Sequence, residues 1–430
     1  MGLLDKVLKK EAKISVLGLG YIGLPTSVIF ASIGFKVFGY DKNSDVINKL
    51  KAGEVHIFEP DLEGLFKKVL DREFFVPTDK IVESDIFIIC VPTPYKIENG
   101  IKVADLKYVE EAARSISKIL RKDNLVILES TVPPGTTENI LIKILENSTN
   151  LKVSRDFYVV YSPERVLPGR ILQEIRTNNR IIGSDKFNKK GAEIAKALYS
   201  EIVEGEIFIT DIKTAEMCKL IENAYRDVNI AFANEISMIA HELGINVREL
   251  IDLANKHPRV SILSPGTGVG GHCIAVDPWF IVEKFPTITR LIKTAREVND
   301  HKPKWLANKI DELIREKFKN RRIAEITVGI LGLAYKPNVD DLRESPSLVL
   351  INHLKEKGYK ILVSEPFRKE KKIQDMENLM IEELVKKSDV VVISVAHRVF
   401  REIDKKMFSD ERKLYIDLVG ITTRKGVVRF

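Results

Sequence analysis

The sequence predicts an α/β protein in which two doubly wound parallel sheets are joined by one long central helix. Three patterns predict it. Residues 13–41 read strand, glycine turn, helix, strand; the chain from Ile323 onward repeats that order; and the stretch from Asp211 to Leu243 carries helical periodicity. The outer segments are therefore expected to be Rossmann-like, with domains over residues 1–205, 206–305 and 306–430. A chain of 430 residues, 44% hydrophobic and 30% charged, is long enough for two or three cores and too apolar to stay disordered.

After a polar leader, KISVLGLG reads as a buried strand entering a glycine turn, YIGLPTSVIFASIG as a helix and FKVFGYD as the next strand. Further strands are expected in SDIFIICVPTP, NLVILEST and FYVVYSPE, whose polar or proline-containing ends are where a doubly wound sheet binds ligands. In the central helix Asp211 is the expected N-cap, Met217, Ile221, Tyr225, Val228, Phe232, Ile236 and Ile239 form an apolar stripe, and Gly244 is the stop. A rod of that length, roughly 50 Å at 1.5 Å per residue, bridges domains or packs on a second copy of itself; two helices broken near Asn223 are the alternative. In the third region EITVGILGLAYKP, KGYKILVSEP and SDVVVISVAH mirror KISVLGLGYIGLP, IGFKVFGYD and SDIFIICVPT. The copy has lost the last glycine of the turn, and Glu365 follows its strand differently, so no second dinucleotide is assigned to it.

Composition narrows the partners. The net charge of +7 comes from 68 basic against 61 acidic residues, without a dense Lys/Arg block interleaved with aromatics, which argues against nucleic acid. The uncharged run Ile14–Phe35 is explained by strand, turn and helix, with Pro25 and four glycines against a membrane span. Three cysteines without CxxC or a Cys/His cluster exclude a disulfide framework and a structural metal site, and fit a cytoplasmic protein.

Gly18, Gly20 and Gly23 form GxGxxG directly after a strand, and Asp41 ends the next strand. The first two glycines permit a tight turn and close approach of a pyrophosphate, the third lets helix and strand pack, and the helix N-terminus favours the anion. Asp41 would accept from the adenosine ribose and repel a 2′-phosphate, so the expected cofactor is NAD. A glycine turn that binds nothing is the bland reading. In SPGTGVGGHCIAVDPWF, closely spaced glycines put Cys273 on an exposed backbone four residues before Asp277. A thiolate nucleophile needs such access and a partner that lowers its pKa, for which His272 or a lysine is available; an ordinary loop cysteine is equally compatible. Lys219 and Asn223, four apart, lie about 40° apart around the helix, where they could together stabilise an oxyanion or form a solvated face.

GLGYIGLP, VPTP, ESTVPPGTT, SPER, KLIENAYRD, HPRV, GVGGHCIAVDPWF and GLAYKPNVDDLRESPS, in this order, resemble the UDP-glucose/GDP-mannose dehydrogenase family. The resemblance implies a four-electron oxidation of a sugar C6 hydroxyl with two NAD in succession, through a thiohemiacetal and a thioester on Cys273. It implies an oxyanion role for Lys219, also a candidate base, and Asn223; a water ordered by Thr131 and Asp277; and thioester hydrolysis assisted by Glu164. Tyr21, Ile22, Pro92, Thr93 and Thr131 join Gly18, Gly20, Gly23 and Asp41 as cofactor contacts. Glu164, Arg165, Lys219, Asn223, Arg259, Gly270, His272, Lys336 and Arg343 are the implied contacts of a UDP-sugar, with Arg259 reaching the neighbouring subunit of a homodimer or larger assembly.

Glucose enzymes of the family usually read GGSC, with a lysine just before the aspartate. Here His272 precedes Cys273 and Val276 precedes Asp277. That resembles the branch acting on N-acetylated sugars, so oxidation of UDP-N-acetyl-D-mannosamine to its uronate is expected; UDP-N-acetylglucosamine, UDP-glucose and a non-catalytic nucleotide-sugar-binding role are the alternatives. Thr267 departs from the branch, which commonly has proline there.

Overall fold

The computed structural model describes residues 1–98, 101–186, 189–402, 410–422, 424 and 426–430. The chain divides into two compact units, Met1–Ile221 with Trp279–Lys284, and Glu222–Pro278 with Phe285–Phe430.

The first unit is built on eight strands: β1 (Lys13–Leu17), β2 (Lys36–Tyr40), β3 (Phe75–Thr78), β4 (Ile86–Ile89), and, after a separate two-stranded hairpin of β5 (Tyr95–Glu98) and β6 (Ile101–Ala104), β7 (Leu125–Leu128), β8 (Tyr158–Tyr161), β9 (Arg180–Ser184) and β10 (Ile207–Asp211). Their order is β10-β9-β8-β7-β4-β1-β2-β3. The strand order reverses between β1 and β4, so the carboxyl ends of those two strands form the switch point where ligands bind in such sheets. The run of fully buried residues in β4 and β7 explains why both read as unbroken apolar segments: each is covered on both faces. One antiparallel pairing, Tyr161 with Gly183, turns β9 around and brings its first residue, Arg180, to the carboxyl end of β8. The polar leader is itself partly helical, Leu3–Leu8, with Leu3 and Val7 buried.

In the second unit β11 (Thr327–Leu331), β12 (Lys360–Ser364), β15 (Val390–Ile393), β16 (Leu414–Asp417) and β17 (Val427–Arg429) form a parallel sheet ordered β12-β11-β15-β16-β17, and β13 (Lys372–Ile373) pairs antiparallel with β14 (Met376–Glu377). This is the second Rossmann-like sheet. Its glycine turn is closed on itself: the Glu365 carboxylate accepts the N–H groups of Leu333 at 2.7 Å and Ala334 at 3.0 Å, and His397 Nε2 lies 3.2 Å away. Burial would push Glu365 up, but these partners hold it below the usual range. His397 and near-complete burial, with 1% exposed, engage internally the acid that matches Asp41 in sequence.

The central helix is continuous over Ile212–Glu242, without a break near Asn223. Asp211 caps it, accepting from the Thr214 N–H at 3.1 Å and its hydroxyl at 2.7 Å. Gly244, at φ +66, ends it as the Ile245 N–H bonds back to the Ala240 carbonyl at 3.0 Å. Its amphipathicity runs opposite to that of an ordinary surface helix. Glu216, Leu220, Ala224, Asp227, Ala231, Asn234 and Ser237 are buried, whereas Ile221, Tyr225, Phe232 and Ile239 are exposed, Tyr225 at 73%.

Candidate active site

The glycine turn sits at the switch point. Gly18, at φ +89, follows β1 and its N–H bonds the Tyr40 carbonyl at 2.8 Å; a Cβ there would come 2.7 Å from the Cys90 carbonyl oxygen beyond β4. A Cβ on Gly23 would stand 1.8 Å from the Gly18 oxygen, so only glycine lets the helix Gly23–Ser32 begin against the turn. Gly20 has open space around its Cα, leaving the backbone at Tyr21 and Ile22 approachable. Asp41 closes the turn: its Oδ2 accepts the Leu19 N–H and its Oδ1 the Asn43 N–H, both at 2.8 Å. An open glycine cradle with a fixed carboxylate beside it fits a dinucleotide whose ribose carries free hydroxyls.

Two loops beside the turn are buttoned together. The Thr93 hydroxyl donates to the Thr131 carbonyl at 2.6 Å, and the Ser130 hydroxyl to the Val91 carbonyl at 2.7 Å, so Pro92, Thr93 and Thr131 hold a common position. Below them runs a buried polar chain that sequence reasoning missed. Arg180 Nη1 donates to Glu164 Oε2 at 2.7 Å, its Nη2 to Glu129 Oε1, and its Nε to the Ser162 hydroxyl at 2.9 Å. The other Glu164 oxygen accepts the Arg165 N–H at 2.8 Å, while the Arg165 side chain reaches the Asn179 carbonyl. Glu129 also accepts from Tyr199 at 2.6 Å and Cys90 at 3.1 Å. Burial raises Glu129 against the pull of Arg180 and raises the Cys90 thiol and Tyr199 phenol well above their ordinary values. Glu216, another unforeseen buried acid, accepts the Thr137 N–H at 2.8 Å and hydroxyl at 2.7 Å, tying the start of the central helix to the VPPGTT loop one turn before Lys219.

In the second unit Cys273 is half-buried, and its carbonyl accepts the N–H groups of Val276 at 3.0 Å and Asp277 at 2.8 Å, a tight turn into the helix Asp277–Lys284. Asp277 is 3% exposed, and its carboxylate accepts from the Asn223 amide at 2.6 Å. The glycines before Cys273 are packing glycines: a Cβ on Gly270 would lie 2.3 Å from the Glu344 oxygen, one on Gly271 2.7 Å from the Tyr335 ring, and the Gly271 N–H bonds the Arg343 carbonyl at 3.0 Å. The cysteine loop is thereby laid on the segment that carries Lys336 and Arg343. Arg343 is held side-on by Asp341, with Nε at 3.0 and 3.1 Å and Nη2 at 2.7 Å from its oxygens. Burial alone would raise Asp341; Arg343, with His272 adding to it, holds it below the usual range.

Thr267, the departure from the branch pattern, is buried and donates to the Ser394 carbonyl at 2.8 Å, so a hydroxyl anchors the loop there. The loop root is also held by Asn234, whose Oδ1 accepts the Gly266 N–H at 3.0 Å while its amide reaches Asn299 at 2.9 Å; Asn299 in turn bonds Asp227 at 2.8 Å, the partner of buried Arg296 at 2.6 Å. Arg259 is exposed, and its backbone N–H donates to His257 Nδ1 at 3.3 Å. The site residues therefore fall into two sets, Gly18 to Lys219 on the first unit and Asn223 to Arg343 on the second. The continuous helix carries Lys219 and Asn223 one turn apart.

Three family models cover the chain: the NAD binding domain of the UDP-glucose/GDP-mannose dehydrogenase family matches residues 12–203, its central domain 213–301 and its UDP binding domain 329–424. The chain is 46% identical to a UDP-N-acetyl-D-mannosamine dehydrogenase of Campylobacter jejuni, over 91% of this chain and 97% of that protein. It is 44% identical to an NDP-N-acetyl-D-galactosaminuronic acid dehydrogenase of Ralstonia nicotianae, over 96% and 97% of the two chains. Among solved structures, a UDP-D-ManNAc dehydrogenase from Pyrococcus horikoshii superposes with a TM-score of 0.89 at 40% identity, covering 97% of this chain and 98% of that one.

Proposed function

The chain belongs to the UDP-glucose/GDP-mannose dehydrogenase family, and we propose that within it the substrate is UDP-N-acetyl-D-mannosamine, oxidised at C6 to the uronate. It is an NAD-dependent dehydrogenase of UDP-sugars. The observation that carries the choice of sugar is the similarity to the Campylobacter jejuni enzyme along nearly the whole chain, together with His272 and Val276 around the cysteine.

NAD, when bound, takes the hydride in each of the two oxidations. The chain's own residues do the rest. Lys219 and Asn223 stabilise the oxygen at the reacting carbon, and the Asp277 carboxylate fixes the Asn223 amide for that purpose through its 2.6 Å bond. Cys273 adds to the aldehyde and retains it as a thiohemiacetal, then as a thioester. Thr131 and Asp277 order the water that releases the acid, and Glu164 accepts its proton. Arg165, Gly270, His272, Lys336 and Arg343 bind the nucleotide sugar, with guanidinium forks suited to phosphate oxygens. The relative named for N-acetyl-D-galactosaminuronic acid favours a second reading, UDP-N-acetylgalactosamine, whose sugar differs from N-acetylmannosamine at C2 and C4. Incubation with NAD and UDP-N-acetylmannosamine, UDP-N-acetylglucosamine, UDP-N-acetylgalactosamine and UDP-glucose is expected to give two NADH per sugar, fastest with the first. One NADH per sugar would mean that the aldehyde escapes, and another sugar turning over fastest would replace the substrate assignment.

The working form is a homodimer, cytoplasmic, with residues 1–205 binding cofactor, 206–305 pairing the protomers and 306–430 binding the UDP-sugar. The exposed stripe Ile221, Tyr225, Phe232 and Ile239 supports the pairing, because apolar side chains aligned on one helix face call for a cover. No helix among the described residues is long and apolar enough to cross a membrane. Arg259 completes the partner's site. Tyr225→Asp is expected to shift sedimentation from dimer to monomer and to remove activity; a monomeric wild-type protein with full activity would refute the arrangement.

A further inference from the structure

Resting on the reading above, we propose that Arg180 is the positioning residue for the thioester-hydrolysing carboxylate, holding Glu164 in place while Glu129 holds Arg180. The hydrolytic step consumes one water: its oxygen bonds the acyl carbon, the C–S bond breaks with its electron pair passing to sulfur, and one water proton moves to Glu164. A base for that step must be anionic and fixed in direction.

The geometry supplies the fixed direction. Arg180 is the first residue of β9, carried to the carboxyl end of β8 by the antiparallel pairing, and is only 4% exposed. Its guanidinium lies 3.7 Å above the Tyr199 ring, and Glu129 and Ser162 occupy its remaining directions, so it has one place to be. From there Nη1 meets Glu164 at 2.7 Å. Glu164 is the carboxylate nearer the surface, with 7% of its side chain exposed against 0% for Glu129. Among the described residues Arg180 bonds it directly and Glu129 lies beyond Arg180, with Cys90 and Tyr199 bonded to Glu129. Shared between two carboxylates, the guanidinium is fixed by Glu129 and in turn orients Glu164.

The test compares Arg180→Met and Arg180→Lys with the wild type by rapid mixing, intact mass and steady-state rate. In Arg180→Met the first turnover is expected still to give two NADH per site, a Cys273 acyl adduct to accumulate, and the steady-state rate to fall on the order of 10²-fold. Arg180→Lys, which keeps the charge but not the fork, is expected to accumulate less adduct and to recover part of the rate. If the methionine variant does not fold, the lysine variant decides alone: adduct accumulation with a reduced rate supports the role, and its absence overturns it. An unchanged rate in folded Arg180→Met, or loss of the first NADH with NAD binding intact, overturns it as well. A wild-type protein that forms no Cys273 adduct would instead sink the parent reading, and this one with it.

Discussion

Cys273→Ser is expected to lower carboxylate production by 10³-fold or more, with NAD affinity and thermal stability close to those of the wild type. The size follows from chemistry: near neutral pH a serine hydroxyl is a far weaker nucleophile than a thiolate. The selectivity follows from structure. Backbone groups hold the loop, the Cys273 carbonyl to Val276 and Asp277 and the Gly271 N–H to Arg343, while Gly270 and Gly271 pack on Glu344 and Tyr335. An oxygen in place of sulfur keeps those backbone bonds. The proposed NAD contacts, Gly18 to Asp41 with Pro92, Thr93 and Thr131, lie on the other unit. Stopped-flow NADH formation and product analysis make the check. Undiminished uronate production would refute the covalent route, and a broad fall in melting temperature would show that the thiol also has a packing role.

What the sequence disclosed and what it hid have separate physical origins. The glycine turn, the strands leading to Cys90, Glu129 and Ser162, and the cap at Asp211 were legible because each is a local pattern whose meaning does not depend on distant residues. The repeat of the first sheet in the last third was legible for the same reason. Arg180 was not: as the first residue of RIIGS it reads as a polar residue entering a strand, and only the reversed direction of β9 delivers it to Glu164 and Glu129. Asp227, Asn234 and Asn299 were equally silent, since a buried asparagine pair has no periodicity of its own. The central helix shows the limit most clearly. Its apolar stripe was found, but periodicity identifies a stripe without saying which face meets the rest of the chain. Here Ala224, Asp227, Ala231 and Asn234 turn inward and Tyr225 and Phe232 outward. The identity of the acid in the second glycine turn was likewise a clue whose meaning required structure, because Glu365 is bound by its own turn and by His397.

The two glycines Gly20 and Gly23 separate the two jobs that a GxGxxG turn performs. Gly23→Ala is expected to destabilise the first unit by about 1–3 kcal/mol or more and to weaken NAD binding by at least about tenfold. The added methyl would stand 1.8 Å from the Gly18 carbonyl oxygen and 3.1 Å from Cys90 Cβ, so either the helix Gly23–Ser32 moves off the sheet or the turn at Gly18 opens. Gly18 has little freedom to yield, since it sits at φ +89 with its N–H bound to Tyr40 and the Cys90 carbonyl close behind it. Gly20 is different: nothing lies within 4 Å of where its Cβ would be. Gly20→Ala should therefore melt with the wild type, and any weakening of NAD binding it causes comes from the methyl meeting the pyrophosphate rather than from the fold. Calorimetric melting and NAD titration of both variants measure the separation. Equal melting temperatures for Gly23→Ala and the wild type would show that helix and turn are not locked as this contact requires, and an unchanged NAD affinity in Gly20→Ala would place the pyrophosphate elsewhere along the turn.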